Sequence, residues 1–168
     1  MTQLFAQPYD ISATGFYFET AEQYAAKAAK AKNDYGQPVE EFEIQFIDGE
    51  DIDCELAKAF DINQVNLGRF LELVDEWEEH EQIRFIIAVG ECGYSFDVEA
   101  DNIDFLDVDI YEEDSLKDLA IRFVEDGLFG EVPEPFRFYI DYEAIARDLA
   151  VDYGETVIAG NRLIYRCG

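Results

Sequence analysis

Positive charge is what this chain has least of. Twelve Lys and Arg stand against 39 Asp and Glu in 168 residues, a formal net charge of −27 at neutral pH. Nucleic acid and anionic membrane surfaces are bound by a basic footprint that neutralises phosphates and releases counterions. The composition excludes both and points to a basic partner. Cysteine and histidine are scarce as well: Cys54, Cys92 and Cys167 are odd in number and widely spaced, and His80 is the single histidine. With no C-x-x-C and no Cys/His cluster, the thiols read as reduced groups of a cytoplasmic protein, not as a disulfide framework or a zinc site. No apolar run approaches the ~18 residues that a membrane helix needs, and MTQLFAQPYD lacks the basic-then-apolar order of an export signal.

Catalytic signatures are missing too. There is no P-loop, no G-x-G-x-x-G, no G-x-S-x-G and no Cys–His spacing that suggests a nucleophile. A calcium loop counted from Asp97 would need Gly at its sixth position and Glu at its twelfth, where the chain has Asn102 and Val108. Among 39 carboxylates no acid–base pair stands out. The reading is a protein without catalytic, cofactor-binding or metal-binding residues.

What the chain has in abundance is carboxylate in one region. Residues 1–32 carry three acids and three bases, residues 33–116 carry 26 acids against Lys58, Arg69 and Arg84, and residues 117–168 carry ten acids and six bases. Duplex DNA bears about one charge per 1.7 Å of axis, so 27 negative charges match roughly 46 Å of helix, a little over one turn. The densest stretch, DVEADNIDFLDVDIYEED, holds Asp97, Glu99, Asp101, Asp104, Asp107, Asp109, Glu112, Glu113 and Asp114 without one Lys or Arg. Ile103, Phe105, Leu106, Val108, Ile110 and Tyr111 are interleaved with them, which predicts packing and not a disordered tail. Leu106, Val108 and Ile110 alternate with Asp107 and Asp109 at the period of a half-buried strand. Carboxylates along the outer face of a strand repel one another, so a purpose other than folding is expected to keep them.

Upstream, GFYFE reads as a strand and Thr20 to Gln23 as the capping box of an Ala-rich helix running to about Lys32, with Lys27, Lys30 and Lys32 favouring its C-terminal dipole. EFEIQFI alternates Phe42, Ile44 and Phe46 against Glu41, Glu43 and Gln45, a second strand expected to lie antiparallel to the first. Across NQVNLGRFLELVDEWEEHE, Leu67, Phe70, Leu71, Val74 and Trp77 form an apolar helical stripe. Glu72, Asp75, Glu76 and Glu79 repeat its spacing as an acidic ridge on another side, in which i,i+4 pairs repel. IRFIIAV, residues 83–89, suits either a strand or a helix. Ser115 predicts a helix cap, with Leu116, Leu119, Ala120, Phe123 and Val124 inside and Gly127 as terminator. Strands over Thr156–Ala159 and Arg162–Arg166 are expected to turn at Gly160-Asn161. Tyr142, Ile145, Ala146 and Leu149 make an apolar stripe, and Phe136, Phe138, Tyr139 and Tyr153 add aromatic surface, suited either to an interface or to plain core. Arg147 and Asp148 read as an architectural ion pair.

Gly130-Glu131-Val132-Pro133, Tyr139-Ile140-Asp141-Tyr142-Glu143 and Ala146-Arg147-Asp148-Leu149 together resemble the ArdA-type antirestriction proteins, acidic proteins of mobile elements that mimic duplex DNA and block type I restriction–modification enzymes. GFYFETAEQY, EEFEIQFIDGE and LGRFLELVDEW follow in the family's order, and residues 84–109 are the least similar. The resemblance implies an α+β fold: an elongated chain of three small domains with short antiparallel sheets and helices, divided as 1–61, 62–103 and 104–168. It further implies a homodimer and occupation of the DNA groove of the methyltransferase core. On that reading Glu41, Glu43, Glu72, Asp75, Glu76, Glu79, Asp97, Glu99, Asp101, Asp104, Asp107, Asp109, Glu112 and Glu113 form the DNA-mimic surface, and Phe138, Tyr139, Tyr142, Ile145 and Leu149 the dimer interface. Two other classes fit the composition: an acidic inhibitor or adaptor of another basic protein or nuclease, and a halophile's domain kept soluble by its acids. The uncharged balance of the first 32 residues opposes the last, since salt adaptation acidifies a whole surface.

Overall fold

A computed structural model describes residues 1–168, which form two compact units, Met1–Glu91 and Cys92–Gly168. Both are α+β and each is built on a three-stranded antiparallel sheet.

The first unit centres on β1 (Gln3–Pro8), flanked by β2 (Phe16–Phe18) and β3 (Phe42–Asp48) in the order β2-β1-β3. The expectation that the EFEIQFI strand lies antiparallel to GFYFE is therefore corrected, and the two run parallel to each other. Each pairs antiparallel with β1, which lies between them. β1 escapes a reading by alternation because its inward residues are Leu4, Ala6 and Pro8, and the last two are weak strand formers. Helix α1 (Ala21–Ala28) starts as expected, with the Thr20 hydroxyl accepting from the Gln23 amide at 3.2 Å. It stops short of Lys32, where the chain forms single bridges from Asn33 to Ala13 and from Lys32 to Pro38. Tyr24 on α1 stacks with Phe16, Phe18 and Phe42, with ring centroids 5.9, 5.1 and 6.2 Å away. Helices α2 (Asp51–Phe60), α3 (Leu67–Glu76) and α4 (Glu79–Phe85) follow, burying Leu56, Leu67, Phe70, Leu73 and Phe85. The predicted single helix through Glu79 is interrupted at Trp77, which adopts extended backbone. Glu78 then caps α4, its amide donating to the Glu81 carboxylate at 2.8 Å. The ambiguous stretch after Arg84 is helical: α4 runs on into a π-helical segment, Ile86–Glu91, with Ile86, Ile87 and Ala88 buried.

The second unit carries β4 (Val108–Tyr111), α5 (Leu116–Glu125), a single turn α6 (Glu134–Arg137), α7 (Tyr142–Leu149), β5 (Gly154–Ile158) and β6 (Asn161–Cys167), with sheet order β4-β6-β5. Ser115 caps α5 by accepting from the Asp118 amide at 3.2 Å, and Gly127, at φ 76°, follows its end. Leu119, Phe123 and Ile164 form the core, with Tyr111, Leu149 and Tyr153 packed against them. The hairpin turns at Ala159-Gly160, one residue earlier than predicted, because Ile158 pairs with Asn161; Ala159 and Gly160 both have positive φ, 48° and 81°.

The thiol reading is also corrected. Cys92 and Cys167 form a disulfide across 75 residues, leaving Cys54 free. The pairing arises because β6 ends beside β4, with Cys167 opposite Val108, where the chain from Cys92 returns. The Tyr94 hydroxyl seals the same corner, donating to the Gly168 carbonyl at 2.9 Å. No helix is long and apolar enough to cross a membrane.

Candidate functional site

The acidic rows occupy three kinds of backbone. Glu41 and Glu43 precede and enter β3, whose alternation buries Phe42 and Ile44 and leaves both carboxylates in solvent. Glu72, Asp75 and Glu76 line α3, while Glu79 belongs to α4, so the ridge is split by the Trp77 break. Asp97, Glu99 and Asp101 lie in a loop, Asp104 in a short 3-10 turn, Asp107 just before β4, Asp109 within it, and Glu112 and Glu113 just after. All fourteen are exposed except Glu113, which is half-buried.

The structure separates carboxylates that neighbours hold from those left to solvent. Arg69 reaches Glu72 at 3.1 Å and Glu76 at 3.0 Å, so the ridge is not free of cations as the spacing suggested. Arg122 reaches Glu113 at 3.2 Å. Asp97 and Asp101 turn inward on their own loop: the Asp97 amide donates to Asp101 Oδ2 at 2.8 Å and the Glu99 amide to Asp97 Oδ1 at 3.0 Å. Across the sheet Asp109 stands opposite Arg166, a cation that no local reading of the acidic tract could have supplied. Arg147 and Asp148 are both exposed and form no ion pair, which corrects the expected architectural bridge.

Asp75 and Glu79 have no cation within reach, and neither do Asp104 and Asp107. At the C-terminal end of α3, Asp75 and Glu76 face the negative end of the helix dipole, with no basic residue in the last turn. That placement costs stability, as does the like-charge spacing of the ridge. Glu79, in the first turn of α4, instead favours the dipole of its own helix.

The structure also brings in acids that the sequence reading missed. A groove of about 690 Å³ between the start of α1 and α3 is lined by Glu19, Glu22, Glu72 and Asp75. Hydrogen bonds at the helix N-terminus, from the Glu22 amide and Thr20, hold the Glu22 carboxyl below its usual range, so it stays charged. Glu19 and Glu22 were hidden because the first 32 residues are neutral in sum. Their proximity to α3, some fifty residues away, exists only in three dimensions.

Of the residues read as interface, Phe138 is 92% and Tyr139 84% exposed, and Phe136 joins them. Tyr142, Ile145 and Leu149 are half-buried; Leu149 packs against the core. α7 contributes Leu149 to packing, and the aromatic residues ahead of it stand in solvent.

A family model for the antirestriction protein ArdA matches residues 10–161. No curated protein matches the chain.

Proposed function

The chain belongs to the ArdA antirestriction family, and from that premise we propose that it is a mimic of duplex DNA which occupies the DNA groove of a type I restriction–modification enzyme. The observation that carries this reading is the set of carboxylates that the fold leaves exposed to solvent: Glu41, Glu43, Asp75, Glu79, Asp104, Asp107 and Asp109. Strands and helices hold Glu43, Asp75, Glu79 and Asp109, so little ordering entropy opposes docking of these into a groove that binds phosphates. Each exposed ion pair with the enzyme contributes about 0–1 kcal/mol, and the binding energy is spread over the whole face. The target surface is the methyltransferase core, where bound duplex and this chain exclude each other.

On this reading the protein acts inside a cell carrying a mobile element, as a homodimer. Phe136, Phe138 and Tyr139 supply the dimer contact, because aromatic residues exposed together are the material of buried interfaces. Replacing Phe138 and Tyr139 by Ala is expected to give a monomer in sedimentation equilibrium with an unchanged circular dichroism spectrum.

The deciding experiment is binding of the purified chain to a type I methyltransferase core, with and without competing duplex, across a salt series. Tight binding that duplex displaces and salt weakens is expected. Binding that duplex leaves untouched would assign the acidic face to a partner surface other than the DNA groove.

A further inference from the structure

Residues 92–107 carry Asp97, Glu99, Asp101, Asp104 and Asp107 and no Lys or Arg. Like charges set so closely repel one another and favour an open chain. Apart from the 3-10 turn at Ile103–Phe105 the segment belongs to no helix or strand, and Ile103 is its one buried residue. Hydrogen bonds inside it close turns of a few residues: the Asp101 amide donates to the Asp97 carbonyl at 2.7 Å and the Leu106 amide to the Ile103 carbonyl at 3.2 Å. The two ends of the segment, by contrast, are tied together at the end of β6. Cys92 is bonded to Cys167. The Tyr94 hydroxyl lies 2.9 Å from the Gly168 carbonyl oxygen and 3.3 Å from that of Asp107, and the Gly168 amide donates to the Asp107 carbonyl at 2.9 Å. The core of the second unit lies elsewhere. Leu119, Phe123 and Ile164 come from α5 and β6, and Tyr111, Leu116, Leu149 and Tyr153 pack on them; none belongs to residues 92–107.

We propose that Cys92–Cys167 is a redox-controlled clamp on this acidic loop, which holds the loop to the end of β6 when oxidised and frees it when a dithiol reduces it. The chemistry is thiol–disulfide exchange. Cys167 is exposed and Cys92 half-buried, so the sulfur of Cys167 is the one that an incoming thiolate reaches. Attack there forms a mixed disulfide and expels Cys92 as a thiolate, which takes up a proton. The second thiol of the reductant then displaces Cys167, so both cysteines end as thiols and the dithiol as a disulfide. With the covalent tie gone, hydrogen bonds from Tyr94 and Gly168 alone oppose the repulsion among the five carboxylates. The interior of a cell is rich in such thiols.

The consequence for inhibition rests on the DNA-mimic reading, whereas release of the loop does not. Asp104 and Asp107 then meet the enzyme from a mobile chain and lose ordering entropy on docking. Glu41, Glu43, Asp75 and Glu79 lie in the first unit and are untouched, so reduction grades the affinity and does not abolish it.

The test compares the whole chain, isotopically labelled, with and without dithiothreitol. Amide exchange is followed along the chain, and binding to a type I methyltransferase core is measured in parallel. Reduction is expected to speed exchange across residues 93–106 and at Gly168, to leave Ile164 protected, and to weaken binding about tenfold. The Cys92→Ser, Cys167→Ser double variant shows the freed loop and the weaker binding without reductant and no longer responds to it, while Cys54→Ser responds as the wild type does. Unchanged exchange in the loop, loss of protection at Ile164 as well, or equal binding of the oxidised and reduced chains would each overturn the proposal. An oxidised chain that fails to bind the core sinks the DNA-mimic reading instead, and the exchange data then decide the clamp by themselves.

Discussion

Asp53 is the one buried carboxylate of the chain, 5% exposed, and it behaves unlike the acids of the outer face. It sits in the first turn of α2, accepting from the Thr2 hydroxyl at 3.2 Å. Burial pushes its carboxyl above the ordinary 3.8, and the hydrogen bonds from Thr2 and the Glu50 amide offset this only in part. The folded state therefore holds the proton more tightly than the unfolded chain does. The corresponding stability is present below the ordinary carboxylate range and is lost as pH rises through the raised value. Asp53→Asn keeps an oxygen for Thr2 and removes the buried charge. It is expected to raise the melting temperature at pH 7 and to leave it nearly unchanged at low pH, where the wild-type carboxyl is already neutral. Thermal melts of both proteins across that range check the sign; a variant less stable at neutral pH would show that the helix-dipole contact outweighs desolvation.

At the scale of elements, local signals and tertiary demands part company at the turns. Ser115 and Thr20 cap helices where the sequence places them, because a cap is satisfied by amides two or three residues away. The β5–β6 turn shifts instead, since its register is set by pairing Leu163 and Ile164 into the core, and this forces Ala159 into left-handed backbone at φ 48°. An L-residue with a Cβ is strained by about 1–2 kcal/mol there, and Gly is not. Ala159→Gly is thus expected to stabilise the protein by about 0.5–1 kcal/mol, the entropy of the more flexible unfolded chain taking back part of the gain. Urea titration of the two proteins measures it, with an equal or lower midpoint for the variant counting against the argument.

At the scale of the whole molecule, the disulfide and the acidic face make separate predictions. Cys92–Cys167 closes 75 residues, and cross-links of that kind stabilise by about 2–4 kcal/mol through the unfolded state. A thiol reductant, or the Cys92→Ser, Cys167→Ser double variant, is expected to lower the melting temperature while the free Cys54 contributes no change. On the proposed mimic reading, inhibition depends on the sum of many weak contacts. A single Asp75→Asn or Glu79→Gln is expected to weaken binding to a type I enzyme by no more than severalfold, as befits exposed pairs of about 0–1 kcal/mol. Neutralising Glu41, Glu43, Asp75, Glu79, Asp104, Asp107 and Asp109 together is expected to abolish it. Loss of inhibition on one such substitution, with the fold intact, would replace the distributed face by a local hot spot.

Much of the site was legible in one dimension. Periodicity alone assigned Glu41 and Glu43, Glu72, Asp75 and Glu76, and Asp107 and Asp109 to solvent, because a strand or helix with one apolar side has to expose the other. Charge density alone argued for a basic partner. The family could be recognised from the C-terminal words. What the sequence could not determine depended on residues far apart along the chain. These include the insertion of β1 between β2 and β3, the meeting of Cys92 with Cys167, the groove that joins Glu19 and Glu22 to α3, and the placing of Arg166 opposite Asp109. Alternation and capping are satisfied within a few residues of one another, whereas strand order and cross-chain neighbours are chosen by how the finished surfaces pack.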